Sequence, residues 1–262
     1  MKKNLILVIL FTAAILGAGL VLRTDPQEAR SDAVTEAAEY PAAEVNGVTI
    51  HYEIFGEEGP PVILLHGNGG SHRDLGLITE TLVNAGYKVY APDSRGQGAN
   101  EPEKEYHYAD MADDVYELIS FWNLDRPALY GWSDGGIIGL LTEIRHPGTL
   151  RAVAASGANV SPDGLKGYFI NPVRLMSSIG GDPMSAMIAN EPDISYEELS
   201  GIDIPVLITA GEDDIIKEEH TRMIADSIPG AELMIFEGEN HGSYITGSTK
   251  MADALVEFLT RF

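Results

Sequence analysis

Apolar runs of strand length alternate with segments of helical period along most of the chain, and that alternation admits few folds. "PPVILLHG", "YKVYAPD", "RPALYGW", "LRAVAASGA", "IPVLITAG" and "AELMIFEG" are short and bounded by turn residues. Between and after them lie "HRDLGLITETLVNAG", "YHYADMADDVYELISFWNL", "GGIIGLLTEIRHP", "KEEHTRMIADSIPG" and "GSTKMADALVEFLTRF", each with helical spacing of its apolar residues. A run that is apolar throughout reads as a strand covered on both faces. "VTIHYEIFG", which precedes them, alternates polar and apolar as a half-exposed strand does. The expectation is an α/β fold with a mostly parallel central sheet and helices on both faces. Ligands in such sheets sit at the carboxyl ends of the strands, so the polar residues just after each apolar run carry the functional information.

One of those runs breaks abruptly. In "LYGWSDGGIIGL", Gly131-Trp132-Ser133-Asp134-Gly135 fits G-x-S-x-G between a buried strand and a helix. This pattern is the nucleophile elbow, a sharp turn that lifts a serine hydroxyl clear of the sheet. Glycines flank it because neighbouring backbone passes close by. The start of the helix places N–H groups where negative charge can develop. The competing reading is a glycine-rich turn whose serine only caps the helix.

A serine hydroxyl is a weak nucleophile at neutral pH and needs a base and an orienting carboxylate. In this architecture they follow in the order Ser, acid, His. Of the seven histidines, only His220 and His241 lie beyond the later strands. His220 falls in the charged segment "KEEHTRM" and is expected to be an exposed, solvated imidazole. His241 sits in "EGENHGSY", straight after the strand "LMIF", and is the expected base. The acid should follow "IPVLITAG", where Glu212, Asp213 and Asp214 are adjacent. A two-residue turn after Gly211 would aim Asp214 inward, with Asp213 the alternative.

"LLHGNGGS" ends the first buried strand with a turn suited to exposing backbone N–H groups. The N–H groups of Asn68 and Asp134 can form an oxyanion hole. His66 is expected to be structural. In "PDSRGQGAN", Asp93 and Arg95 are expected to tie that loop together by hydrogen bonds and an ion pair. Trp132 and Asp134, on either side of the serine, are the residues expected to meet the substrate.

The N-terminus reads differently. Lys2 and Lys3 precede Leu5 to Leu22, apolar except for Thr12, and Arg23 follows. A basic region ahead of such a run marks an export signal, cleaved or retained as an anchor, over residues 1–23. Residues 24–43 are polar, Ala-rich and acidic, with Pro at both ends, and read as a linker. The folded domain is then 44–262. The formal net charge of −23, without a basic stripe, excludes nucleic-acid partners. With no cysteine the chain has no disulfide, no thiolate chemistry and no Cys-ligated zinc.

"HGNGG", "PDSRGQG", "GWSDGG", "GEDD" and "GENHG", in that order, resemble the α/β-hydrolase superfamily from about residue 44 to the end. "GWSDGGIIGL" followed by "RHPGTLRAVAASGANV" is similar to valacyclovir hydrolase-like and related small esterases. The resemblance implies an α/β-hydrolase fold with Ser133 as nucleophile, Asp214 as acid and His241 as base. In amino-acid-ester hydrolases of that kind the aspartate after the nucleophile receives the substrate ammonium, which here is Asp134. Where relatives often insert a large helical lid, this chain has only a short cap at about 161–200. Tyr168, Phe169, Leu175, Met176, Met184 and Met187 supply its apolar residues, and so short a cap suggests a shallow, open pocket.

These readings give a serine hydrolase of small carboxylic esters, without metal or cofactor, touching a membrane only through its N-terminal segment. The alternatives are a cofactor-free perhydrolase or haloperoxidase-like enzyme, and a ligand-binding receptor on the same fold. The sequence does not determine the oligomeric state.

Overall fold

The computed structural model describes residues 40–262. The export signal or anchor expected over 1–23, and residues 24–39 of the expected linker, lie outside the described residues. Two short strands open the domain, β1 (Ala42–Val45) and β2 (Val48–Phe55). Then follow β3 (Pro61–Leu65), α1 (Gly76–Asn84), β4 (Lys88–Pro92), α2 (Tyr108–Phe121), β5 (Ala128–Trp132), α3 (Asp134–Arg145) and β6 (Ala152–Ser156). The cap comes next with α4 (Gly167–Ser178), α5 (Pro183–Asn190) and α6 (Tyr196–Ser200). The chain closes with β7 (Val206–Asp213), α7 (Glu218–Ser227), β8 (Glu232–Asn240), α8 (Ser243–Thr246) and α9 (Lys250–Leu259).

These strands form one eight-stranded sheet in the order β1-β2-β4-β3-β5-β6-β7-β8. Pairing is antiparallel from β1 to β2 and from β2 to β4, and parallel everywhere else. The alternation of side chains across each strand explains the unbroken apolar runs. Ile63 and Leu65 of β3 join the core under α2, α3 and α7, while Val62 and Leu64 join the core under α1 and α9. Val153 and Ala155 of β6 divide from Ala152 and Ala154 in the same way. The mostly parallel sheet with helices on both faces is as the sequence predicts.

The strand order places the site. From β3 the chain crosses to β4 on one side, and β5 then pairs with β3 on the other. The loops leaving β3 and β5 diverge from adjacent strands, and a crevice opens between them.

Three expectations change. The first strand starts at Ala42, inside the segment read as linker, because Ala43 and Val45 pack with Ile50, Tyr52 and Leu118. Arg95 does not pair with Asp93; it clamps the Asp114 carboxylate of α2 at 2.6 and 2.8 Å. Asp93 instead turns to His72, accepting from its Nδ1 and from its backbone N–H at 2.8 Å each. His220 is buried, since α7 also turns Thr221, Ile224 and Ala225 inward, and its Nε2 accepts the Val160 N–H at 3.1 Å.

The Asp93 cluster fastens the loop after β4 to the start of α1. Its second oxygen accepts the Ala99 N–H at 2.8 Å, and His72 Nε2 lies 3.4 Å from a Glu53 carboxylate oxygen. The hydrogen bond to Asp93 is the main cause that raises the His72 pKa, with burial opposing it. A raised imidazole pKa stabilises the fold fully below the unfolded value near 6.5, and that contribution is lost as pH rises through the folded value. Replacing His72 by Gln takes the imidazole from buried Asp93, which keeps its backbone N–H donors, and should cost about 1.5–3 kcal/mol of unfolding free energy near pH 6. Denaturant titrations of both proteins should show that cost shrinking toward pH 9; a constant difference would mean His72 is neutral in the fold.

Candidate active site

The turn between β5 and α3 holds Ser133 at φ 56°, ψ −115°. This is a strained conformation for a residue with a side chain, and packing forces it. A Cβ on Gly131 would strike the Gly135 carbonyl, and one on Gly135 would strike the Leu65 carbonyl of β3. Strand, turn and helix are thus pressed together so closely that only glycine fits at both flanks. The Ser133 N–H donates to the Ser156 carbonyl of β6 at 2.7 Å, fixing the turn to the sheet.

Ser133 Oγ lies 3.0 Å from His241 Nε2, and His241 Nδ1 lies 2.7 Å from Asp214 Oδ1. The serine comes from the end of β5, the histidine from the loop after β8, and the aspartate from the end of β7. Glu212 and Asp213 are exposed, whereas Asp214 is 1% exposed. Its oxygens also accept the Ile216 N–H at 3.0 Å and the Gly211 N–H at 3.3 Å. Burial pushes its pKa up, but the His241 hydrogen bond and charge, with these N–H groups, outweigh burial and hold it below the usual carboxylate range. An ionised carboxylate only accepts, so His241 Nδ1 carries the proton and Nε2 is left to accept from the serine hydroxyl.

The loop after β3 lies against this turn: a Cβ on Gly67 would be 3.4 Å from Ser133 Cβ. His66 is fully buried, and burial lowers its pKa. It is a neutral strut, donating from Nδ1 to the Gly67 carbonyl at 2.7 Å and accepting the Ser94 N–H at Nε2, 2.9 Å away. Gly69 N–H donates to Gln97 Oε1 at 2.6 Å and Gly70 N–H to the Gly67 carbonyl at 3.2 Å. Asn68 Nδ2 donates to Asp134 Oδ2 at 2.9 Å. Among the described residues, the N–H groups of Asn68 and Asp134 make no hydrogen bond. Two free donors at the rim beside the hydroxyl suit an oxyanion.

Trp132 is half-buried between two loops. A Cβ on Gly67 would lie 3.5 Å from its ring and one on Gly242 would lie 3.1 Å away. Its indole N–H donates to the His241 carbonyl at 2.9 Å, so its polar atom serves the histidine loop. Asp134 is 5% exposed, and its Oδ1 accepts from the Tyr108 hydroxyl at 2.9 Å. The cap joins α2 nearby, where the Glu191 carboxylate meets His107 Nδ1 at 2.6 Å and accepts the Tyr108 N–H at 3.1 Å. Of the cap's apolar residues, Met187 is buried while Tyr168 and Leu175 are exposed. Among the described residues no group of three or more His, Asp or Glu side chains is arranged to hold a metal ion.

Sequence reasoning missed Gly157 and Tyr108. Gly157 has φ +59°, and a Cβ there would lie 2.8 Å from His241 Cε1 and 2.9 Å from its Nδ1. The signal was present in "VAASGANV", a glycine at a strand end, but its neighbour across the crevice is remote in sequence.

Known proteins agree with this architecture. A family model described as alpha/beta hydrolase fold matches residues 60–173. The sheet order, the elbow and that match decide the matter. This is an α/β-hydrolase-fold chain. It is 27% identical to "Serine hydrolase BPHL" of Homo sapiens, over 91% of each chain. It is also 28% identical to "Non-heme chloroperoxidase CPO-A1" of Kitasatospora aureofaciens, over 82% of this chain and 98% of that one. The structure superposes on an esterase from Exiguobacterium antarcticum with a TM-score of 0.74 and 21% identity, covering 84% of this chain and 99% of the other.

Substituting Gly157 by Ala should push the imidazole off its line to Ser133. A misplacement of about 1 Å costs about 100-fold in rate. The rate at which a fluorophosphonate probe labels Ser133 should fall by that factor while the circular dichroism spectrum stays unchanged. Labelling at the native rate would show that the loop absorbs the extra carbon without moving His241.

Proposed function

We propose that this α/β hydrolase cleaves small carboxylic esters through an acyl-enzyme on Ser133. The observation that supports the reading most is the unbroken hydrogen-bond chain from Ser133 Oγ through His241 to Asp214. The Ser133 oxygen attacks the ester carbonyl carbon, and its proton passes to His241 Nε2. The carbonyl oxygen becomes an oxyanion that the Asn68 and Asp134 N–H groups stabilise. Asp214 holds the Nδ1 proton and offsets the charge of the imidazolium. When the C–O bond breaks, His241 returns its proton to the departing alcohol. A water then attacks the acyl group, again losing a proton to Nε2, and the acid leaves as Ser133 regains its hydrogen. Trp132, wedged between the loops of Asn68 and His241, holds those two loops apart.

A second reading follows from the similarity to a non-heme chloroperoxidase. Hydrogen peroxide could replace water as the acceptor of the acyl group, converting acetic acid and peroxide into peracetic acid and water on the same residues. Ester turnover far exceeding peracid formation would favour hydrolysis, and the reverse would favour the perhydrolase.

The test is turnover of p-nitrophenyl acetate. Removing the serine of such a triad costs on the order of 10⁶-fold in kcat, and replacing its aspartate by asparagine costs about 10⁴-fold. Ser133→Ala and Asp214→Asn should lose turnover on those scales, with Asp213→Asn near wild type. Turnover that survives Ser133→Ala would refute the mechanism.

A further inference from the structure

The Asp134 side chain has no place in the mechanism as derived, yet it is buried beside the nucleophile. Both its oxygens are occupied. Oδ1 accepts from the Tyr108 hydroxyl at 2.9 Å, and Oδ2 accepts from Asn68 Nδ2, also at 2.9 Å. Tyr108 is 2% exposed and Asp134 5% exposed, so the phenol bond is closed to solvent, while the Asn68 bond is half-buried. Among the described residues no lysine or arginine reaches this carboxylate.

We propose that the Asp134 carboxylate is a positioning group for the oxyanion site: bridging Tyr108 and Asn68, it locks the Asn68 N–H beside Ser133 and is not a receptor for a cationic substrate. The inference rests on the hydrolase reading and deepens it. Asn68 lies in a turn whose other polar groups are all tied down. His66 and the Gly70 N–H hold the Gly67 carbonyl, and Gln97 holds the Gly69 N–H. The first two bonds pin the carbonyl end of the peptide between Gly67 and Asn68, and the Asn68 side chain pins its other end, to the residue that carries the second oxyanion donor. One carboxylate therefore ties the two donors to each other. An incoming ammonium would have to displace a buried phenol or a half-buried amide, each already bonded to the carboxylate, and breaking the Asn68 bond would loosen the oxyanion site the reaction needs. Burial, the main influence on the Asp134 pKa, raises it against the opposing bonds from Asn68 and Tyr108, consistent with a group that does not await a cation.

Tyr108 extends the brace. Its hydroxyl reaches Asp134 while its backbone N–H donates to Glu191 at the end of α5. The start of α2 therefore touches both the cap and the support of the oxyanion site.

The experiment measures kcat and KM for Asn68→Ala, Asp134→Asn, Asp134→Ala and Tyr108→Phe on two p-nitrophenyl esters, one neutral and one bearing an α-amino group. Asparagine at 134 keeps an oxygen for Asn68 and an amide for the Tyr108 hydroxyl, so it serves as the conservative rescue. Loosening an oxyanion donor should lower kcat of Asn68→Ala and Asp134→Ala about tenfold on both esters, with KM within about twofold. The double variant Asn68→Ala/Asp134→Ala should be no slower than either single one, and Asp134→Asn should stay within about threefold of wild type on both esters. Should Asp134→Ala fail to fold, Asn68→Ala and Asp134→Asn carry the test between them. An unchanged kcat in Asn68→Ala would overturn the positioning role. A KM raised tenfold by Asp134→Asn for the amino ester alone would identify a cation receptor instead. Ser133→Ala, run alongside, separates the two levels: turnover that survives it refutes the hydrolase reading, whereas a dead Ser133→Ala beside an unaffected Asn68→Ala refutes only this inference.

Discussion

At Ser133 the chain passes through φ 56°, ψ −115°, and the surrounding backbone leaves it no other route. Holding a side-chain-bearing residue there costs about 1–3 kcal/mol, which the rest of the fold must offset. The offset comes from the sheet. β5 is hydrogen-bonded to β3 and β6 along its length, and α3 packs onto the sheet so tightly that Gly131, Gly135 and Leu65 share one space. Relaxing the serine would mean pulling α3 off β3. The site's geometry is therefore a property of the whole sheet. Its other parts are referred to the same strands, with the Asn68 loop leaving β3, Asp214 leaving β7 and His241 leaving β8.

Much of this was legible because strand ends are visible in a sequence. Ser133, Asp214 and His241 each stand within a few residues of the end of an apolar run, and parallel strands bring such ends to one edge. Period and turn residues carried that inference. The turn after Gly211 also separated the three acidic residues: Glu212 and Asp213 lie past the buried part of β7, where the register shifts, and are exposed, while Asp214 turns in. Pairings are hidden where a residue's partner is distant in sequence. Arg95 is two residues from Asp93 but pairs with Asp114 of α2, while Asp93 turns to His72, and neither partner is near in sequence.

Histidine shows the limit most clearly. His66, His220 and His241 all occupy polar ends of elements, and all are at least partly buried. What separates them is the atom opposite each ring nitrogen. His66 and His220 accept backbone N–H groups, from Ser94 and Val160, and burial lowers both pKa values, so they are neutral struts. His241 faces a carboxylate on one side and a hydroxyl on the other. The charged letters around His220 suggested solvent, yet a helix with charge on one side buries the other, and His220 falls on the buried stripe with Ile224. Neighbours in sequence describe a helix all round; burial depends on one face.

The two carboxylates nearest the nucleophile complete the electrostatic design, and their environments push them in opposite directions. Asp214 faces an imidazole that the proposed reaction would make cationic, and its pKa is held down. Asp134 faces a phenol and an amide, and burial holds its pKa up. Such a divergence separates roles between like groups. A full negative charge is useful behind His241, where it offsets the imidazolium. The same charge behind the oxyanion donors would oppose the negative oxygen they are meant to receive. Two neutral donors on Asp134, Tyr108 and Asn68, draw its charge to their side, while its backbone N–H stays free for the proposed oxyanion. On that reading the acidic residue after the serine is tolerated beside a developing anion because its side chain and its backbone are committed to different partners.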